Sequence, residues 1–127
     1  MLNVVLVAVG GGLGSLLRYG AAVAATRWFG SAFPFGTLFV NVTGSFVMGV
    51  LIEYLARRYA GTAGAGLRLF LATGILGGYT TFSTFSLDVA VLAERGALLT
   101  AFVYLAASIL VGVGALFAGL ALARHLY

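Results

Sequence analysis

The 127-residue sequence has no cysteine and no lysine, a single proline, a single histidine, and three acidic residues, Glu53, Asp88 and Glu94. With no cysteine there is neither a disulfide nor a thiolate metal site, and so few carboxylates argue against a paired-carboxylate active centre. Charge of either sign is scarce: 8% of residues are charged, against roughly 25% in a soluble domain. The net charge of +4 comes entirely from arginine. No basic cluster is interleaved with exposed aromatics, so the arginines read as anchors at lipid headgroups and no nucleic-acid partner is expected.

What is present is apolar length. Hydrophobic residues make up 62% of the chain and mean hydropathy is +1.14. A bilayer-spanning helix needs about 20 mostly apolar residues, and the charges leave room for about four such stretches. The expected helices run from about Asn3 to Thr26, Phe35 to Ala56, Leu67 to Ala93 and Leu98 to Ala123. The connections "RWFGSAFP", "RRYAGTAGAG" and "ERGA" are short, so a single four-helix transmembrane domain over residues 1–127 is expected. The opening "MLNVVLVAVGGGLGS" has no positive n-region and runs on into apolar sequence, so it reads as a membrane helix.

With a cytoplasmic N-terminus, Arg57, Arg58, Arg68 and Arg124 fall inside and Arg27 and Arg95 outside. Arginine asymmetry normally fixes orientation, and this one is weak enough to leave both a modest inside preference and dual insertion open. Small residues four apart, Gly10 and Gly14, Gly11 and Ser15, Ser108 and Gly112, and Ala115 and Gly119, predict close helix contacts.

The anomaly is "GGYTTFSTFS", residues 77–86, in the middle of the third apolar stretch. Gly77 and Gly78 allow either a break in the helix, which needs protein or a cavity around its freed backbone groups, or close packing of an unbroken helix. Phe82 and Phe85 are three apart and share a helical face, where ring edges could favour an anion without a full charge. Thr80, Thr81, Ser83, Thr84 and Ser86 add hydroxyl donors, unless they merely bond back to the preceding turn. Thr37, Asn41 and Ser45 form a polar stripe on the second helix, and Tyr104 with Ser108 another on the fourth. Together these neutral donors could replace the water around a small anion. Glu53 and Arg57 read as an i, i+4 interfacial pair, Asp88 as lying near the emerging part of the third helix, and Arg18 as snorkelling or facing a water-filled vestibule.

"GGGLGSLLRYG", "FPFGTLFVNVTGSF" and above all "TGILGGYTTFSTFS" resemble the small fluoride channels of the Fluc or CrcB family, over essentially the whole chain. The resemblance implies an all-α membrane protein with the third helix broken near its middle, and a homodimer of antiparallel, dual-topology subunits. It implies two fluoride pores, a structural sodium ion at the dimer interface, and passive fluoride export across the inner membrane that relieves toxicity. By position, it also implies that Gly77 and Thr80 hold sodium through backbone carbonyls. It likewise implies that Phe82 and Phe85 line the pores with Asn41, that Ser83, Thr84, Tyr104 and Ser108 supply hydroxyls, and that Arg18 is the family's first-helix arginine. Gly112 stands where some members have another hydroxyl. The competing readings are a proton-coupled small secondary transporter, which needs a titratable group near the midplane, and a non-transporting scaffold, which leaves the aligned polar stripes without a purpose. No enzyme chemistry is expected.

Overall fold

A computed structural model describes all of residues 1–127. Four segments are long and apolar enough to cross a membrane: α1 (Leu2–Phe29), α2 (Phe35–Arg58), a third span over Ala65–Glu94, and α5 (Leu98–Leu126). Each begins and ends within a turn of its sequence-predicted limits. The third span is two helices, α3 over residues 65–79 and α4 (Phe82–Glu94). Between them Thr80 (φ −85°, ψ 157°) and Thr81 (φ −151°, ψ 121°) are extended. The expected break is therefore present.

Its location differs from a break at the twin glycines. Gly77 is helical (φ −63°, ψ −38°) and Gly78 lies in the last turn of α3, so the chain opens only after Tyr79. The reason is local chemistry. β-branched Thr80 and Thr81 tolerate extended backbone well. Thr81 is also a good N-cap: its Oγ1 accepts from the Thr84 amide at 3.2 Å and starts α4. Gly78 serves the other reading of the pair, because a Cβ there would fall on the carbonyl oxygen of Gly11 in α1.

Glycine sets the packing of α1 on α3, which run parallel. A Cβ on Gly10 would lie 2.6 Å from the Phe70 oxygen and 2.9 Å from Gly74 Cα, and one on Gly14 would overlap the Ile75 oxygen. The two backbones touch through a stretch of α3, Leu69–Leu76, that is wound as a wider π-helix. On the other side of the subunit, α2 meets α5 through Gly49 and Gly119, where the Leu116 and Phe46 carbonyls occupy the space a side chain would need. Gly10, Gly14 and Gly119 thus make the close contacts predicted for them. Gly112 makes none of this kind, since a Cβ there would meet no atom within 4 Å.

A small apolar core joins α4 to α5 through Phe85, Leu92, Ala101 and Tyr104, with Phe33 edge-on to the Tyr104 ring. Only 18 of 127 residues are buried, so most apolar side chains face outward instead of one another. At the ends, the Schellman turn of α4 runs through Gly96 (φ 79°), with Ala97 N–H donating to Leu92 O at 3.0 Å. Glu53 takes Arg57 at 2.8 Å as the i, i+4 spacing predicts, and also Arg124 at 3.1 Å. This ties the C-terminal ends of α2 and α5 to the same side of the membrane.

A substitution pair tests the glycine contact. Gly14→Val forces α1 off α3 and should cost about 1–3 kcal/mol or more, seen as a lowered melting temperature or lost monodisperse protein in detergent. Gly12→Val meets open space on the same helix and should leave both unchanged.

Candidate ion path at the helix break

A helix interrupted at membrane depth leaves its last carbonyls and the next helix's first amides without partners, and each group left bare in hydrocarbon costs several kcal/mol. Side chains of the flanking helices and of Thr80 and Thr81 take some of them. The Leu76 carbonyl accepts from both the amide (3.0 Å) and Oγ1 (2.9 Å) of Thr80. The Gly78 carbonyl accepts from Arg18 Nε at 3.0 Å. Asn41 is bound at both ends: Nδ2 donates to the Thr81 carbonyl at 3.0 Å, and Oδ1 accepts from the Thr81 amide at 2.8 Å. The carbonyls of Gly77 and Thr80 accept nothing within the chain, and the amides of Phe82 and Ser83 donate to nothing within it.

Two polar cavities meet at this point, and Thr81 lines both. One, of about 310 Å³, is bounded by Ser15 and Arg18 of α1, Thr37 and Val40 of α2, and Thr81 and Thr84. The other, of about 270 Å³, is bounded by Asn41, Ser45 and Met48 of α2 with Thr80, Thr81 and Phe82. No carboxylate lines either. The α2 stripe therefore serves both: Thr37 faces the first cavity, and Asn41 and Ser45 the second. A third hollow, of about 560 Å³ between α1 and α2, is apolar and walled by Trp28, Phe29 and Phe39 among others.

The expected site residues divide accordingly. Asn41, Phe82, Thr84 and Arg18 border the cavities. Arg18 does not snorkel to the surface; it is held at the break by Gly78. The rings of Phe82 and Phe85 are 5.7 Å apart, but Phe82 is 79% exposed while Phe85 is 8% exposed and lies tilted against Tyr104 at 5.3 Å. Ser83 is exposed, its Oγ 3.5 Å from that of Thr81. Tyr104 is fully buried and gives its hydroxyl to Asp88 Oδ2 at 3.0 Å. Asp88 is thus half-buried in the middle of α4 and not free at its emerging end. Ser108 Oγ is buried with no partner, and neither Tyr104 nor Ser108 borders the two polar cavities.

Thr81 is absent from the expected pore residues although the break is organised around it. The sequence does carry the signal: a threonine three residues ahead of Thr84 and directly before an apolar run is a helix start, even inside a longer apolar stretch. Tyr79 is a second omission. Its hydroxyl lies 2.9 Å from Thr43 Oγ1, and its ring covers Gly44, which steadies the last turn of α3 against α2.

Comparison with known proteins agrees with this geometry. The family described as "CrcB-like protein, Camphor Resistance (CrcB)" matches residues 5–120. A protein of Agrobacterium fabrum named "Fluoride-specific ion channel FluC" is 53% identical over 127 residues, which is 100% of both chains. One of Nitrobacter hamburgensis named "Fluoride-specific ion channel FluC 2" is 54% identical over 125 residues, covering 98% of this chain and 99% of that one. One of Rhodospirillum centenum, named as the first, is 54% identical over 124 residues, covering 98% and 97%. A chain with four membrane-spanning segments, the third broken between two polar cavities, and full-length identity of this order to such proteins belongs to the CrcB family.

Proposed function

We infer that the chain forms a fluoride-specific ion channel, and the observation that carries this reading is the pair of carboxylate-free cavities joined at Thr81, in a chain similar end to end to channels of that name. Fluoride is small, strongly hydrated and an acceptor of hydrogen bonds. A path that strips its water must offer several donors in its place. The first cavity offers hydroxyls of Ser15, Thr37, Thr81 and Thr84, with Arg18 drawing anions in. The second offers the Ser45 hydroxyl and the ring of Phe82, the Thr80 hydroxyl being spent on the Leu76 carbonyl. The free first-turn amides of α4, at the positive end of that helix, lie at the break between them. With a negative cell interior, about 2.3 kcal/mol per charge per 100 mV moves fluoride outward through an inner membrane without a pump.

The working unit is an antiparallel homodimer with two pores. The weak arginine bias supports dual orientation, and the exposed Phe82 and Gly77 beside a polar break support a face covered by a second copy. A structural sodium ion belongs at that face. The Gly77 and Thr80 carbonyls fit it, since they are hard oxygen donors left unsatisfied, as is that of Tyr79 between them, while the Leu76, Gly78 and Thr81 carbonyls are taken. Bound there, the cation supplies positive potential between the pores and links the two broken helices.

Three measurements test the reading. Purified protein in liposomes should release fluoride to an electrode rapidly and without a proton gradient; exchange that requires the gradient would assign it to the transporters, and no release would rule out transport. Phe82→Ile should leave folding intact, because the ring is exposed in the subunit, and should cut flux about 100-fold, equivalent to about 2.7 kcal/mol on the barrier. Phe85→Ile should also lower the melting temperature, by about 1–2 kcal/mol of lost packing beside Tyr104. A reporter after Tyr127 should appear on both sides of the membrane, and its appearance on one side alone would defeat dual orientation.

A further inference from the structure

We propose that Asn41 creates the cation site by diverting the Thr81 amide from the Gly77 carbonyl, and is therefore a positioning residue for the cation as well as a wall of the second cavity. The inference rests on the sodium reading given above. Were α3 to continue as an α-helix, the Thr81 amide would close the next turn on the Gly77 oxygen four residues back. Instead it donates to Asn41 Oδ1 at 2.8 Å. The other end of the same amide group takes the Thr81 carbonyl at 3.0 Å, so Thr81 is paired as it would be with a neighbouring strand and is held extended. With Thr81 extended, the Thr84 amide turns to Thr81 Oγ1 and the Thr80 oxygen also loses its helical donor. One side chain on α2 thus frees both carbonyls on the third span.

The geometry separates this role from direct contact with the anion. Both heteroatoms of the Asn41 amide face the Thr81 backbone, and only the second Nδ2 hydrogen remains for anything in the cavity. Removing Asn41 should therefore change what the protein does with a cation even when no fluoride is present. That consequence does not follow if Asn41 is only a fluoride donor.

The test is thermal unfolding of the purified, fluoride-free protein in sodium chloride against choline chloride at equal ionic strength, with size-exclusion to follow the dimer. The parent should melt several degrees higher in sodium. Asn41→Leu should lose that increment whatever its melting temperature in choline, whereas a merely structural asparagine would lower both temperatures together and keep the difference. Asn41→Gln, whose amide sits one methylene too far out to meet both Thr81 groups, should lose it, and it stands in where the Leu variant does not fold. A parent with no increment overturns the sodium reading and this proposal with it. A parent with one that Leu or Gln preserves overturns the assignment to Asn41 alone.

Discussion

The double hydrogen bond between the Asn41 side chain and the Thr81 backbone is the contact on which the site depends. In water an opened turn is rehydrated at little cost, but at mid-membrane every group must find a partner in protein, an ion or a wet cavity. An asparagine amide is the one neutral side chain, with glutamine, that presents a donor and an acceptor in the same plane, so it can substitute for a peptide group. Pairing it with Thr81 stabilises two extended residues where helix would otherwise continue. The two helix ends so created have opposite chemistry: carbonyl oxygens at the close of α3 and amide hydrogens at the opening of α4. A single interruption therefore presents both a cation-favouring and an anion-favouring surface, with no ionised side chain needed for either.

That interruption is held from two sides, and backbone proximity is what makes both holds possible. Arg18 reaches the Gly78 carbonyl because Gly10, Gly14 and Gly78 let α1 lie against α3. Asn41 reaches Thr81 because Gly44 leaves room for the Tyr79 ring and the Thr80 methyl on α2. A side chain at Gly14, Gly78 or Gly44 would overlap the neighbouring helix and push it away, and hydrogen bonds weaken steeply with distance. The many small residues, costly for an isolated helix in water, thus act as determinants of polar geometry.

Much of this is readable from the residues, and the limits are physical. Span number and position follow from hydropathy, because bilayer thickness fixes the length of each apolar run. The polar stripe of α2 follows from the helical repeat, and Thr37, Asn41 and Ser45 do line cavities. The location of the break does not follow from glycine content. In lipid, glycine more often marks helix contact than helix end, and Gly78 does so here, whereas the extended residues are β-branched threonines stabilised by a partner 40 positions away. The partners of Arg18 and Asp88 are equally hidden. Both are pairings across the bundle, which periodicity within one helix cannot reveal. The different surroundings of Phe82 and Phe85 also depend on α5, through Tyr104.

The placement of Asp88 completes the electrostatic argument. A carboxylate beside a dehydrated fluoride would oppose it strongly, since two charges about 4 Å apart interact by about 4 kcal/mol even at an effective dielectric near 20. Asp88 lies one turn and a half beyond Phe82 on α4, close enough in sequence to matter, yet it borders neither polar cavity. Its Oδ2 is instead bonded to the buried hydroxyl of Tyr104, whose ring is fixed by Phe33 and Phe85. Tyr104 thereby holds the acid among the aromatic rings between α4 and α5. The stripe that reads in sequence as a continuation of the donors of α2 meets a carboxylate at this position, and the two cavities are lined by hydroxyls, Asn41, the Phe82 ring and one arginine.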